Sequence, residues 1–219
     1  MSTLPRRNRT SQEHAVEWLR AAIVARELRP GARVVQEDVA ERIGVSVVPV
    51  REALRVLEQE GQLTYLPRRG YFVTELDVAD LDEIYALRAL LEARAVRHAL
   101  PVLDAEALER MELAARDCVD AAAAGDVAAE LEANRRFHFA IMDAPGQPHA
   151  LRLIRALWDS TESYRALYYN AAAERDAAVA AHDRIMEAVR AEDVERLIAQ
   201  LDAHRERALV VLRGILAEG

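Results

Sequence analysis

Histidines occur at positions 14, 98, 138, 149, 182 and 204 of the 219-residue chain. Three of them, His138, His182 and His204, stand where helical periodicity asks for apolar residues. His138 follows Asn134 by one helical turn, in line with Leu131 and Ile141, so both side chains point the same way. His182 falls in line with Val179, Ile185 and Val189, and His204 with Leu197, Leu201, Ala208 and Val211. His98 also falls on the apolar side of its segment. An imidazole turned into a helical core needs a partner. Either each ring is hydrogen-bonded separately, or one divalent ion takes all three, with the Asn134 amide oxygen as a fourth donor. Such a nitrogen-rich set suits zinc or nickel and leaves a position open for water or a ligand. Arg88 poses a similar question. It shares a stripe with Leu81, Ile84, Leu91 and Ala95, and a buried guanidinium needs an anion. Glu92, one turn on, is one candidate partner, and the carboxylate of a small acidic ligand is the other. Tyr164, Arg165 and Tyr168 are candidates to line the same pocket.

A second set of residues suits nucleic acid. Arg51 and Arg55 are four apart, opposite the apolar positions Val50, Ala53, Leu54 and Leu57. An arginine fork fits guanine O6 and N7 together, or a phosphate. Ser46 precedes this segment, and the free N–H groups at such a helix start attract an anion. Val48 and Pro49 stand in the same first turn. Arg68, Arg69 and Gly70 fall in a turn between two β-prone runs, and Arg6-Arg7-Asn8-Arg9 adds basic charge near the N-terminus.

The elements that must carry these groups can be traced from breakers and caps. Apolar spacing predicts a first helix over Ser11–Leu28, ended by Arg29-Pro30-Gly31. A second runs over Gln36–Ile43, closed by Gly44, and a third over Val47–Glu60, capped by Ser46 and ended by Gly61. Runs Gln62–Leu66 and Tyr71–Thr74, joined by Pro67-Arg68-Arg69-Gly70, read as a hairpin. From Asp77 on, six helical segments follow at about 78–99, 105–124, 127–143, 148–170, 174–191 and 194–216, with short breaks. Short connections make sequential helices antiparallel neighbours. The expected class is therefore mainly α: a winged helix-turn-helix of three helices and a β-hairpin wing over 1–75, and an antiparallel all-α bundle of about six helices over 76–219.

Composition agrees. Hydrophobic residues make up 52% and aromatics 5%, which favours Ala- and Leu-rich helices over sheet. All 29 basic residues are Arg. The net charge of −8 divides unevenly: residues 1–75 carry +2 and residues 76–219 carry −10. A mildly basic segment on an acidic body is compatible with a small DNA-binding part carried by a larger one. The lone Cys118 excludes an intrachain disulfide and a cysteine-rich zinc site. No secretory signal or membrane-length apolar run is evident, so a cytoplasmic protein is expected.

Four runs carry a family resemblance: Leu28-Arg29-Pro30-Gly31, Gly44 through Leu54, Leu57-Glu58-Gln59-Glu60-Gly61 and Arg69-Gly70-Tyr71-Phe72-Val73. They resemble the GntR family of bacterial transcription regulators. One departure is Val47, where the family usually has Arg after the Ser. The segment Leu81–Glu92, the motifs Asn134-Arg135-Arg136-Phe137-His138 and His182-Asp183-Arg184-Ile185, and His204 resemble the FCD effector domain of the FadR-type branch. That resemblance implies a helical bundle that often holds a metal through one Asp and three His. The His positions correspond to His138, His182 and His204, and the Asp position is Asn134 here.

The reading that follows is a homodimeric regulator, expected to be a repressor, on a palindromic double-stranded operator. A small organic acid bound at Arg88 and the metal centre would modulate it. The rivals are a metal-responsive regulator without an organic effector and a metal-dependent hydrolase with a DNA-binding appendage. Against the hydrolase, no distinct general base stands beside the histidines, and a non-enzymatic role is expected.

Overall fold

The computed structural model describes residues 10–143 and 146–218. The basic arm at residues 6–9 and the break at Ala144-Pro145 lie outside the described residues. The chain divides into two compact units, Met1–Glu75 and Leu76–Gly219.

In the first unit, α1 (Ser11–Val24) opens on a reciprocal cap: Thr10 Oγ1 accepts from Glu13 N–H, and Glu13 Oε2 from Thr10 N–H. It stops four residues earlier than apolar spacing predicts, because Arg26 turns left-handed (φ +59°) and Leu28 N–H folds back to Ala22 O. α2 (Gln36–Ile43) ends on Gly44 at φ +70°, where only Gly is free of steric cost. α3 (Val47–Gln59) follows two residues later and buries Val50, Ala53, Leu54 and Leu57. Ser46 is at the N-cap in extended conformation, but its side chain makes no capping bond, contrary to the cap expected of it.

The wing is β2 (Leu63–Leu66) against β3 (Gly70–Val73), antiparallel, with Tyr65 opposite Tyr71. A third strand escaped the sequence reading. β1 (Arg33–Val34) pairs with the other edge of β3, giving the order β1-β3-β2. Two residues are too few for an alternating pattern to register. Leu19, Ile23, Val34, Leu54, Leu57, Leu63 and Val73 form one core that locks α3 to the sheet.

The second unit is helical throughout: α4 (Val78–Ala99), a single 3₁₀ turn (Leu100–Val102), α5 (Ala105–Ala124), α6 (Val127–Met142), α7 (Pro148–Ser160), α8 (Glu162–Tyr169), α9 (Ala172–Arg190) and α10 (Val194–Glu218). Asp77, Asp104 and Asp126 each accept from a backbone N–H at the start of their helix, the role their type and place suit.

The expected helix 148–170 is two helices, which raises the bundle from about six to seven among the described residues. The break is at Thr161, which is buried. Its hydroxyl donates to the carbonyls of Leu157 (3.2 Å) and Trp158 (3.3 Å), and Ser160 Oγ donates to Leu157 O at 3.1 Å. Side chains that take up those carbonyls compete with the helical ladder. No Gly or Pro marks the site, so periodicity runs through it unnoticed. Phe137, Ile141, Ile154, Trp158, Ile185, Leu197 and Leu201 belong to one core that joins α6, α7, α9 and α10.

Candidate functional site

On the first unit, the outer face of α3 is open to solvent. Ser46, Arg51 and Arg55 are exposed, Val48 is 64% exposed, and Pro49 is half-buried in the first turn. Arg51 Nε donates to Gln36 Oε1 at 3.2 Å, which leans it toward the start of α2. Arg55 pairs with Glu52 at 3.0 Å, an exposed contact that exchanges easily. At the wing, Arg68 adopts φ +65° and Gly70 φ +95°. Arg69 stacks over the Phe72 ring at 5.3 Å, which holds its guanidinium near the sheet edge. Arg33, on the strand the sequence did not reveal, is exposed and reaches toward Gly70. It joins the basic wing through a pairing that no local spacing announces.

On the second unit, α6, α9 and α10 bring His138, His182 and His204 together. Their candidate ligand atoms lie within 4.8 Å of one another, and their ring centroids are 5.3–5.4 Å apart. Asn134 Oδ1 is 3.1 Å from His182 Nε2. Three buried ring nitrogens have no hydrogen-bond partner: His138 Nε2, His182 Nδ1 and His204 Nδ1. Burial is the main cause that pushes all three imidazoles down: His138 and His182 well below their ordinary value, and His204 to about 4. The neighbouring rings and the cations of Arg88 and Arg205 add to the effect on His138. The rings are therefore neutral at physiological pH, the form that binds a metal. Orphaned, neutral nitrogens converging from three helices fit a divalent ion better than three separately satisfied rings. His98, by contrast, is exposed, so its expected place on an apolar face does not hold.

Beside the histidines lies a cleft of about 400 Å³, including the space at its open mouth. Arg88, Asn134 and Arg165 line it, as the sequence suggests. Tyr164 does not: its hydroxyl accepts from Leu76 N–H at 2.6 Å, elsewhere in the unit. Tyr168 lines the cleft as expected, and Tyr169, which the sequence did not single out, joins it. The Thr161 break is what lets Trp158 from α7 and Arg165 from α8 share one wall. Arg88 and Arg165 both stack on the Trp158 ring, at 4.2 and 4.3 Å.

The charges in this cleft are unbalanced. Among the described residues, Glu92 is the one carboxylate lining it. It accepts from Arg88 Nε (2.9 Å), from Trp158 Nε1 (2.8 Å) and from Arg205. Burial alone would raise its carboxyl, but Arg88 and Arg205 hold it below the usual carboxylate range. Arg165 donates from NH2 to Trp158 O at 3.1 Å, while its Nε and NH1 are buried without a hydrogen-bond partner. Burial and the nearby Arg88 charge lower its guanidinium to about 10. Arg205 also pairs with the half-exposed Asp202 outside the cleft, so inside it Glu92 faces three buried guanidiniums of which Arg165 has no carboxylate hydrogen-bonded to it, an anion-seeking arrangement. Arg205 was not singled out from the sequence, although it shares the apolar stripe of Leu201, Ala208 and Leu212.

Comparison with known proteins places both units. Residues 11–73 match the model of bacterial regulatory proteins of the gntR family, and residues 83–207 match the FCD domain. The chain belongs to the GntR family, in its FCD-bearing branch. The regulator YdhC of Bacillus subtilis is 31% identical over 192 residues, which cover 87% of this chain and 86% of that protein. The Nta operon transcriptional regulator of Aminobacter aminovorans is 30% identical, covering 89% and 93%. The structure of Escherichia coli McbR superimposes with a TM-score of 0.81 at 26% identity, covering 94% of this chain and 98% of that one. The protein is thus a transcriptional regulator, and these relatives are regulators rather than enzymes. Among the described residues no helix is long and apolar enough to cross a membrane.

This GntR regulator carries a further buried acid on the stripe that holds Asn134 and His138. Glu130 lies one turn before Asn134, and its Oε2 has no hydrogen-bond partner. Burial raises its carboxyl to about 7, an effect that Arg175 reduces and Asp176 reinforces. The unfolded chain titrates this group near its ordinary value, so folding disfavours the charged form. Stability therefore falls as pH rises from about 4.5 through about 7, then levels off. Glu130→Gln is expected to raise the melting temperature by a few degrees at pH 8 and to leave it unchanged at pH 4.5. Equal shifts at both pH values would refute the burial of a charge there.

Proposed function

We propose that this regulator is a homodimeric repressor. In this reading α3 lies in the major groove of one operator half-site, and a small carboxylate held beside the histidine centre weakens that binding. The first unit acts as the DNA-binding domain and the second as the effector and dimerisation domain. The observation that carries the DNA part is the exposed face of Ser46, Val48, Arg51 and Arg55 on a helix whose other face is wholly buried. Arg51 would reach base edges; Arg68, Arg69 and Gly70 would meet the backbone or minor groove beside it. With Val47 in place of the family's usual Arg, Arg51 bears more of the base reading.

The effector part is supported by the charge imbalance of the cleft. His138, His182, His204 and Asn134 would hold a zinc or nickel ion, which when bound supplies a Lewis-acidic site for an oxygen donor. Arg88 and Arg165 orient the acid, and Trp158 offers them a flat, water-excluding wall. An effector shifts the regulator only if it binds the released state more tightly than the DNA-bound one.

Arg51→Ala is the direct test. On a duplex selected from a random pool by the full-length protein, it should weaken specific binding by about 10–100-fold, the worth of one bidentate base contact. Binding at wild-type strength would remove α3 from the groove. One observation favours a second reading: Glu92 already engages Arg88 and Arg205, so in that reading a metal alone completes the centre's chemistry and is the signal. Chelation that releases the operator with no acid present would select that reading.

A further inference from the structure

A second concave surface lies on the helical bundle, away from the histidine cleft. It is a groove of about 760 Å³, measured with its open mouth, between α5, α6 and α7. Its floor is apolar: Phe139 (5% exposed), Ala114 and Ala140. Leu113 stands at its side, half exposed to water. Four arginines line it (Arg110, Arg135, Arg136 and Arg155) against one carboxylate, Asp143. Arg135 and Arg155 each place a guanidinium 4.8 Å from the Phe139 ring.

From this we infer a second ligand site, for a small carboxylate with a flat apolar body. The apolar floor takes the body, and the guanidinium rim takes the carboxylate. Each arginine now has an acid partner: Arg135–Asp159 at 2.7 Å, Arg136–Asp117 at 3.0 Å, Arg155–Asp143 at 2.6 Å and Arg110–Glu106 at 2.9 Å. These pairs do not close the site. They are wholly or partly solvated, hence weak and exchangeable, and a guanidinium has five donors to offer. A bidentate carboxylate anchored by apolar contact displaces or shares them.

The groove is wired to the inner cleft through sequence neighbours. Arg135 follows Asn134 on α6, and its partner Asp159 follows Trp158 on α7. The inner members of both pairs, Asn134 and Trp158, line the histidine cleft; Arg135 lines the groove, and Asp159 is tied to it through that ion pair. The positive charge of Arg135 also contributes to lowering the Arg165 guanidinium. An anion that draws Arg135 from Asp159 therefore acts one residue away from Trp158, the wall on which Arg88 and Arg165 stack. The inference goes beyond the carboxylate site proposed above and does not depend on a metal.

The test is a titration of the full-length protein with 1-naphthoate, followed calorimetrically to 2 mM, on the wild type and three variants. Leu113→Glu puts a carboxylate into the groove from an exposed position and leaves the core untouched. Arg155→Gln removes one rim charge. Arg165→Gln alters the inner cleft only. The expected result is saturable binding, weakened at least tenfold by Leu113→Glu and by Arg155→Gln and unchanged in Arg165→Gln. No saturable binding below 2 mM would overturn the proposal. So would binding that Leu113→Glu leaves intact, and loss confined to Arg165→Gln would assign the acid to the inner cleft instead.

Discussion

Glu92→Ala should lower the stability of this regulator by about 3–5 kcal/mol, the usual consequence of deleting one partner of a buried ion pair. Glu92 is 2% exposed, and Arg88 and Arg205 are 4% and 7% exposed. Removing the carboxylate leaves Arg88 and Arg165 stacked on Trp158 with no anion between them, Arg205 with the half-exposed Asp202 alone, and the Trp158 N–H unmatched. The expected fall in melting temperature is about 10 °C for a chain of this size. Glu92→Gln should lose less, since an amide oxygen still accepts from Arg88 and Trp158. The exposed pair Arg97–Glu195 supplies the control: Glu195→Ala should change stability by no more than about 0.5 kcal/mol. Added acetate should return part of the stability lost by Glu92→Ala, because the cleft then lacks its own anion. If Glu92→Ala melted like Glu195→Ala, the cationic character assigned to the cleft would be wrong. The depressed carboxyl also sets a pH window. Its contribution is present above about pH 4.5 and disappears as pH falls through the lowered folded value.

His182→Ala should cut the affinity for zinc or nickel by about 100-fold or more. Loss of an outer-shell partner alone commonly costs 10–100-fold, and His182 is a direct donor candidate, carried by α9. Competition against a chromophoric chelator measures it. His98→Ala, at an exposed ring, should leave metal affinity unchanged. A metal that binds the folded state also stabilises it, by about 2.7 kcal/mol at a hundredfold excess over its dissociation constant, and so raises the melting temperature. That increment should vanish in His182→Ala. Asn134→Asp supplies a charged oxygen at the same reach and should tighten binding about tenfold or more, since an amide oxygen is the weaker donor. Equal metal affinity in wild type and His182→Ala would leave the three rings as packing residues and nothing more.

Much of this was legible in local sequence. The cap residues Asp77, Asp104 and Asp126 and the breakers Gly44 and Gly125 act over three or four residues, so their positions alone fix helix ends. Spacing also turned Asn134, His138, His182 and His204 inward, because 3.6-residue periodicity is a property of each helix by itself. The misses share one cause: they depend on partners distant in the chain. The β1 strand exists only because β3 offers its free edge. The break at Thr161 comes from hydroxyl contacts that Ser and Thr make equally well in loops and helices. Tyr164 was drawn to the wrong place because one helical position decides whether a ring enters the cleft or turns to Leu76.

By itself, then, the sequence determined the family, most of the elements and most of the residues that face inward. Tertiary structure alone decided which of them meet. The convergence of three imidazoles from α6, α9 and α10, and the crowding of Arg88, Arg165 and Arg205 around Glu92, join residues up to 117 positions apart. Charge balance in a buried space is a sum over every group enclosed there, and no window along the chain contains that sum.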